Sequence, residues 1–143
     1  MSQKPENKFM GAVHKQLPDD AIYKMKITPV FNSGKFDTFY EGHARDLFVE
    51  YKFLELPKRY ETMIHFDKML SPNQLEWGNR RVERTAASDR VPPHLAIGCR
   101  EKGRYFGLFL QYTPDMTPIN TKTFRDNLLS AKEIADRILS LVS

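Results

Sequence analysis

Two rhythms of apolar residues run along the chain. From Pro5 to about Leu17, Phe9, Met10, Val13 and Leu17 form one stripe at helical spacing, with Pro5 tolerated in the first turn and Pro18-Asp19-Asp20 as a stop. Alternation then takes over. Ile22–Ile27 places Lys24 and Lys26 on its more polar side, Ser33–Tyr40 is an aromatic-rich run, and Asp46–Lys52 alternates Leu47, Val49 and Tyr51 with polar or aromatic neighbours, which predicts three strands. The connection Glu41-Gly42-His43-Ala44-Arg45 is short and polar, so the second and third strands should be an antiparallel pair. A charged, aromatic-bearing connection follows as far as Leu70.

The strongest local signal is Ser71-Pro72-Asn73-Gln74, with an N-cap serine, proline at the first helical position and glutamine three residues after the cap. A helix should run from there through Leu75, Trp77 and Val82 to about Arg84. Residues 86–93 read as a linker, and His94–Arg100 and Tyr105–Gln111 as two apolar strands joined by the turn Glu101-Lys102-Gly103-Arg104. Tyr112–Phe124, with Pro114 and Pro118, reads as an irregular crossing. Ser130 and Glu133 make a second capping box before the stripe Ile134, Ile138, Leu141. That stripe suits core cover, and a dimer could also be built on it. The expected fold is α/β: a helix, a three-stranded meander, a helix, two strands and a closing helix, with the sheet between helices.

Polar residues on the third strand do not fit this picture without a reason. Glu50 and Lys52 share one face of a mostly apolar strand, where a carboxylate and an ammonium are costly unless they pair, hold a cation or border water. Asp37, on the preceding strand, reaches Glu50 in one of two registers. Pairing Tyr40 with Leu47 sets Asp37 opposite Glu50, and pairing Tyr40 with Asp46 sends it to the other face unless a bulge intervenes.

Composition narrows the function classes. At 143 residues, 41% apolar and 28% charged, the chain fits one soluble globular domain over residues 1–143. The single cysteine, Cys99, allows no internal disulfide, and no Cys/His cluster has zinc-site spacing. No stretch resembles a signal peptide or a membrane span, so the cytoplasm is the expected location, with no membrane partner. A net charge of +4 and a pI near 9.2 are compatible with a polyanion.

Asp37, an interval of twelve residues, and Glu50-Tyr51-Lys52 together resemble the bipartite motif of the PD-(D/E)XK nuclease superfamily, especially its small Holliday-junction-resolvase-like and VRR-NUC-like branches. Gly34-Lys35-Phe36-Asp37 stands where the family often has Gly-x-Pro-Asp, with Phe36 in place of the proline. The resemblance spans about Glu6 to Arg84. A second Glu-x-Lys, Glu6-Asn7-Lys8, falls in a helix, where positions i and i+2 diverge.

The resemblance implies a restriction-endonuclease-like core (α-β-β-β-α-β) with a central mixed sheet flanked by helices. It also implies an Mg2+-dependent DNA endonuclease, with Mn2+ able to substitute, acting in recombination or repair in a cell or a phage. Asp37, Glu50 and the carbonyl of Tyr51 would be metal ligands and Lys52 would assist the attacking water. Glu6 matches a metal-site glutamate on the first helix, although an acid there also suits the helix dipole. Gln74 matches a glutamine that reaches the site in some members, although it also completes the cap. Lys24, Lys26, Lys58, Arg59, Arg80, Arg81 and Arg84 are candidate DNA contacts, each with ordinary surface solvation or dipole compensation as the alternative. His14 is expected on the helix surface. Compactness favours structure-selective recognition of branched DNA, and a homodimer is compatible. The competing readings are a non-catalytic nuclease-fold DNA-binding module and a protein-interaction domain.

Overall fold

A computed structural model describes residues 4–27 and 34–143. The helices are α1 (Pro5–His14), α2 (Pro72–Thr85), α3 (Thr121–Asp126) and α4 (Ala131–Val142). The strands are β1 (Tyr23–Lys26), β2 (Thr38–Glu41), β3 (Asp46–Phe53), β4 (Met63–Ile64), β5 (His94–Glu101), β6 (Arg104–Gln111), β7 (Ile119–Asn120) and β8 (Leu129–Ser130). Six of them form one sheet in the order β1-β2-β3-β5-β6-β8, and β4 and β7 pair separately. The meander β1-β2-β3 is antiparallel as expected. The next strand is not: β5 lies parallel to β3, because α2 carries the chain back across the sheet between them.

Both faces of the sheet are covered. Phe9 and Val13 of α1 and Ile134 and Ile138 of α4 bury Leu47, Val49 and Tyr51 on one side. On the other, Phe36, Leu95, Ile97, Tyr112 and Phe124 pack with Leu75 and Trp77 of α2. Residues 94–99 of β5 are therefore all buried, as befits a central strand with helices above and below. Phe9 lies so close over β5 and β6 that a Cβ on Gly98 would come within 2.4 Å of its ring and one on Gly107 within 2.7 Å. Two glycines thus let α1 sit flat on the sheet.

Several expectations need adjustment. α1 ends at His14, although Leu17 is still buried beyond it. The connection after β3 contains β4 and a short 3-10 turn, and the crossing after β6 contains β7 and α3. The linker of residues 86–93 is partly packed, with Val91 buried. On β1 the apolar Tyr23 and Met25 are exposed along with Lys26, because β1 is an edge strand and only the adjacent Ile22 reaches the core. The loop expected over residues 28–33 lies outside the described residues. Among the described residues no helix is long and apolar enough to cross a membrane.

Candidate active site

The site is built where β2 and β3 part. Their ladder pairs Glu41 with Asp46, Tyr40 with Leu47, Phe39 with Phe48 and Thr38 with Val49, which is the register that sets Asp37 opposite Glu50. At Asp37 the ladder stops. The Asp37 backbone N–H donates to Glu50 Oε1 at 3.0 Å, and the Asp37 carboxylate accepts from Thr38 Oγ1 at 3.1 Å and from the Tyr51 backbone N–H. Lys52 Nζ lies 3.4 Å from Glu50 Oε2. Glu50 is only 3% exposed, whereas the Lys52 side chain keeps 26% of its surface, so the ammonium spans from the buried acid to solvent.

Burial dominates the electrostatics. It pushes the Glu50 carboxyl up to about 7, with the negative charge of Asp37 adding to the rise and Lys52 and the Asp37 N–H opposing it. Asp37 is also raised, first by burial, against the pull of Thr38, the Tyr51 N–H, Lys26 and Lys52. Two acids share a notch with one ion-paired ammonium, and the pair holds its protons more tightly than free carboxylates do.

A buried polar chain supports the notch from the α1 side. His14 Nε2 is 2.7 Å from Tyr40 Oη, which in turn contacts Tyr51 Oη. His14 is therefore not the surface residue expected. Burial, reinforced by Lys24, pushes its pKa down to about 4, so it stays neutral. Tyr40 and Tyr51 alternate inward on paired strands, and buried tyrosine hydroxyls need partners. That requirement was the available signal for a polar residue on the facing helix.

Phe36 anchors the entry to the hairpin. Its ring packs 4.9 Å from Trp77 and 5.7 Å from Tyr112. Gly34 has φ +76° and lies against the Asn73 backbone, where an added Cβ would come within 2.2 Å of the carbonyl oxygen. Phe36 thus holds the loop to α2 by ring packing.

The expected accessory residues divide. Glu6 lies half-buried in the first turn of α1 and does not complete a metal-holding group with Asp37 and Glu50; no group of three or more His, Cys, Asp or Glu suited to a metal occurs among the described residues. The next residue is the one turned towards this end of the sheet: Lys26 Nζ donates to Asn7 Oδ1 at 2.7 Å, and the Lys26 charge acts on Asp37. One helical step rotates a side chain by about 100°, enough to exchange Glu6 for Asn7. Gln74 is used in the cap, its Oε1 accepting from the Ser71 N–H at 3.0 Å and its backbone N–H donating to Ser71 Oγ at 3.1 Å.

Among the basic residues, Lys24 pairs with Asp19 and Arg80 with Glu76. Lys58 and Arg59 are exposed beyond β3. Arg81 stacks over the Phe48 ring at 5.0 Å with its Nε buried and unpartnered, beside the charges of Arg84 and Arg90. Arg90, in the former linker, is a member of this cluster that the sequence reading missed.

The helices and mixed sheet form a restriction-endonuclease-like fold. The chain is similar in structure to Hjc of Archaeoglobus fulgidus, a Holliday junction resolvase from an archaeal hyperthermophile, with a TM-score of 0.50 and 15% identity over 93% of this chain and 97% of that one. No family model matches the sequence, and no curated protein matches it. The likeness is one of fold.

Proposed function

We propose that the protein is an Mg2+-dependent endonuclease, with Mn2+ able to substitute, that hydrolyses phosphodiester bonds in DNA and prefers branched substrates. The carrying observation is the convergence of a buried and a half-buried carboxyl, both shifted upward, and a lysine in a notch at the end of a nuclease-type sheet. Two hard oxygen donors that repel each other fit a divalent cation, which would relieve the repulsion. Asp37, Glu50 and the Tyr51 carbonyl would hold it, and when bound it supplies Lewis-acid activation of water and the scissile phosphate.

The chain's own residues do the rest. Lys52 places a positive charge between Glu50 and solvent, where it can orient the attacking water and stabilise charge gathering on the phosphoryl oxygens. The Asp37 N–H fixes one Glu50 oxygen, and the Tyr51 and Thr38 donors fix Asp37, so neither carboxylate has to reorganise. Lys26, Lys58, Arg59, Arg81 and Arg84 supply cations for the DNA backbone. Lys24 and Arg80, now in exposed pairs of little energetic worth, can exchange partners for phosphate. The preference for branched DNA rests on the resolvase likeness. The apolar stripe of α4 is core cover, so a homodimer would use another surface.

Purified protein assayed on branched, single-stranded and duplex DNA with Mg2+, Mn2+ or chelator should cleave only with metal, and branched DNA fastest. Folded protein that binds DNA yet cuts none of these would instead identify a non-catalytic module.

A further inference from the structure

On the α1 side of the sheet, away from the Lys52 face of the notch, a groove of about 980 Å³ runs between α1, the start of β6 and the start of α4. Its rim carries Lys8, Lys15, Lys26, Arg104 and Lys132, and no carboxylate lines it. Lys8, Lys15 and Arg104 make no ion pair among the described residues, and the acid paired with Lys132, Asp136, lies outside the lining. The floor is largely apolar, with Met10, Gly11, Ala12, Tyr105 and Ala131. Lys26 belongs to both places, lining the groove while its charge acts on Asp37.

Gly11 adds an independent observation. It sits inside a ten-residue helix, where glycine is the least favourable residue after proline, yet a Cβ there would meet nothing within 4 Å. Internal packing gives no reason for it. Glycine at such a place leaves room for something outside the chain to approach the helix backbone.

We infer that this groove is a binding track for single-stranded DNA, phosphates on the cationic rim and bases against the apolar floor, leading away from the Asp37 end of the sheet past Lys26. The chemistry selects this occupant. A duplex presents its phosphates and hides its bases, so it would use the rim and leave the floor empty. An unpaired strand offers both a polyanion and flat apolar faces, the combination that single-strand grooves bind. The proposal rests on the nuclease reading only for the identity of the polyanion, and it gives the proposed branched substrate a place for its unpaired segment.

The test compares two DNA substrates in chelator, a blunt duplex and the same duplex with an eight-nucleotide single-stranded extension, by fluorescence anisotropy across a salt series. The wild-type protein should bind the extended substrate about ten-fold tighter. The triple variant Lys8→Glu/Lys15→Glu/Arg104→Glu should erase that difference while leaving blunt-duplex affinity within about two-fold. It should also reduce the salt dependence on the extended substrate by about two, as expected for three lost phosphate contacts to a single strand. Gly11→Leu guards against misfolding: it should raise the melting temperature, since leucine is a strong helix former, and still weaken binding of the extension.

An equal loss on both substrates, or none on either, would overturn the track. So would a Gly11→Leu variant that dissolves a dimer without touching extension affinity, which would assign the groove to a second copy of the chain. Discrimination that survives in a protein cutting no DNA with Mg2+ would uphold the track and sink the nuclease reading. Cleavage without discrimination would do the reverse.

Discussion

The chain contains Glu-x-Lys twice, and the two copies behave differently. Glu6-Asn7-Lys8 opens α1, where residues two apart point about 200° away from each other, so its acid and base never meet. Glu50-Tyr51-Lys52 lies on β3, where residues two apart share a face, and its acid and base are 3.4 Å apart. Glu6 remains half-exposed, whereas Glu50 is buried and titrates near 7. The same residue types thus become a surface helix start in one setting and a largely buried ionic pair in the other. Backbone geometry and burial decide which copy can do chemistry.

Mutation should widen the contrast. Asp37→Ala or Glu50→Gln should lower cleavage by at least about 10³-fold, in the range known for groups that stabilise transition-state charge, while Glu6→Gln changes it by less than about three-fold. Single-turnover cleavage on one branched substrate checks all three. DNA affinity of Asp37→Ala, measured by gel shift, should stay level or rise, because a carboxylate facing phosphate has been removed.

Lys52→Ala should slow the chemical step by about 10²–10³ while metal binding, followed by calorimetry, persists. Glu50→Gln should lose metal affinity, and high Mn2+ should recover part of its rate. Lys8→Ala should leave cleavage of a blunt substrate unchanged. Equal losses of metal affinity in Lys52→Ala and Glu50→Gln would remove the catalytic role from Lys52.

Stability should respond to pH in the direction set by Glu50. The unfolded chain gives up this proton near 4.5 and the folded chain near 7, so between these values the folded state holds the extra proton. The metal-free protein therefore loses stability as pH rises through that window, by a few kcal/mol at about 1.4 kcal/mol per unit, and the loss levels off above it. Thermal melts in chelator should show this slope in the wild type and a flatter one in Glu50→Gln. Added Mg2+ should restore stability above pH 7.

The smallest effect belongs to the α2 cap. Ser71→Ala should cost about 1 kcal/mol and leave the cleavage rate intact, which separates the capping role of the Ser71–Gln74 pair from catalysis. Denaturant melts and one rate measurement are enough to test it.

The reason the hairpin was legible in the sequence is local. Alternation in residues 46–52 and a short turn leave few registers, and burying Tyr40 and Leu47 on one face selects the observed one. Capping residues marked α2 and α4 because a cap is a bond between residues three apart. Long-range facts were hidden. Nothing near β5 in sequence says that it runs parallel to β3, and the strands β4, β7 and β8, two residues each, carry too few side chains for a period. His14 was misread because its partner Tyr40 is 26 residues away, and for Glu6 the metal-site and helix-dipole readings stood level because the rotation of α1 about its axis, which sets Asn7 against Lys26, is invisible without the sheet beneath it.

The turn between β2 and β3 has a consequence for the order of folding. The hairpin closes locally, yet the Val142 carbonyl accepts hydrogen bonds from the Ala44 and Arg45 N–H groups, and Gly42 lies against the same carbonyl. Arg45 also bonds the Ser143 carbonyl, 98 residues downstream. Contacts of such separation form late, because the intervening loop must close before they contribute. The acids can therefore face each other early in a loose hairpin, and their turn is held only once α4 has docked. Recovery of activity during refolding should keep pace with that docking and lag behind the closing of the hairpin.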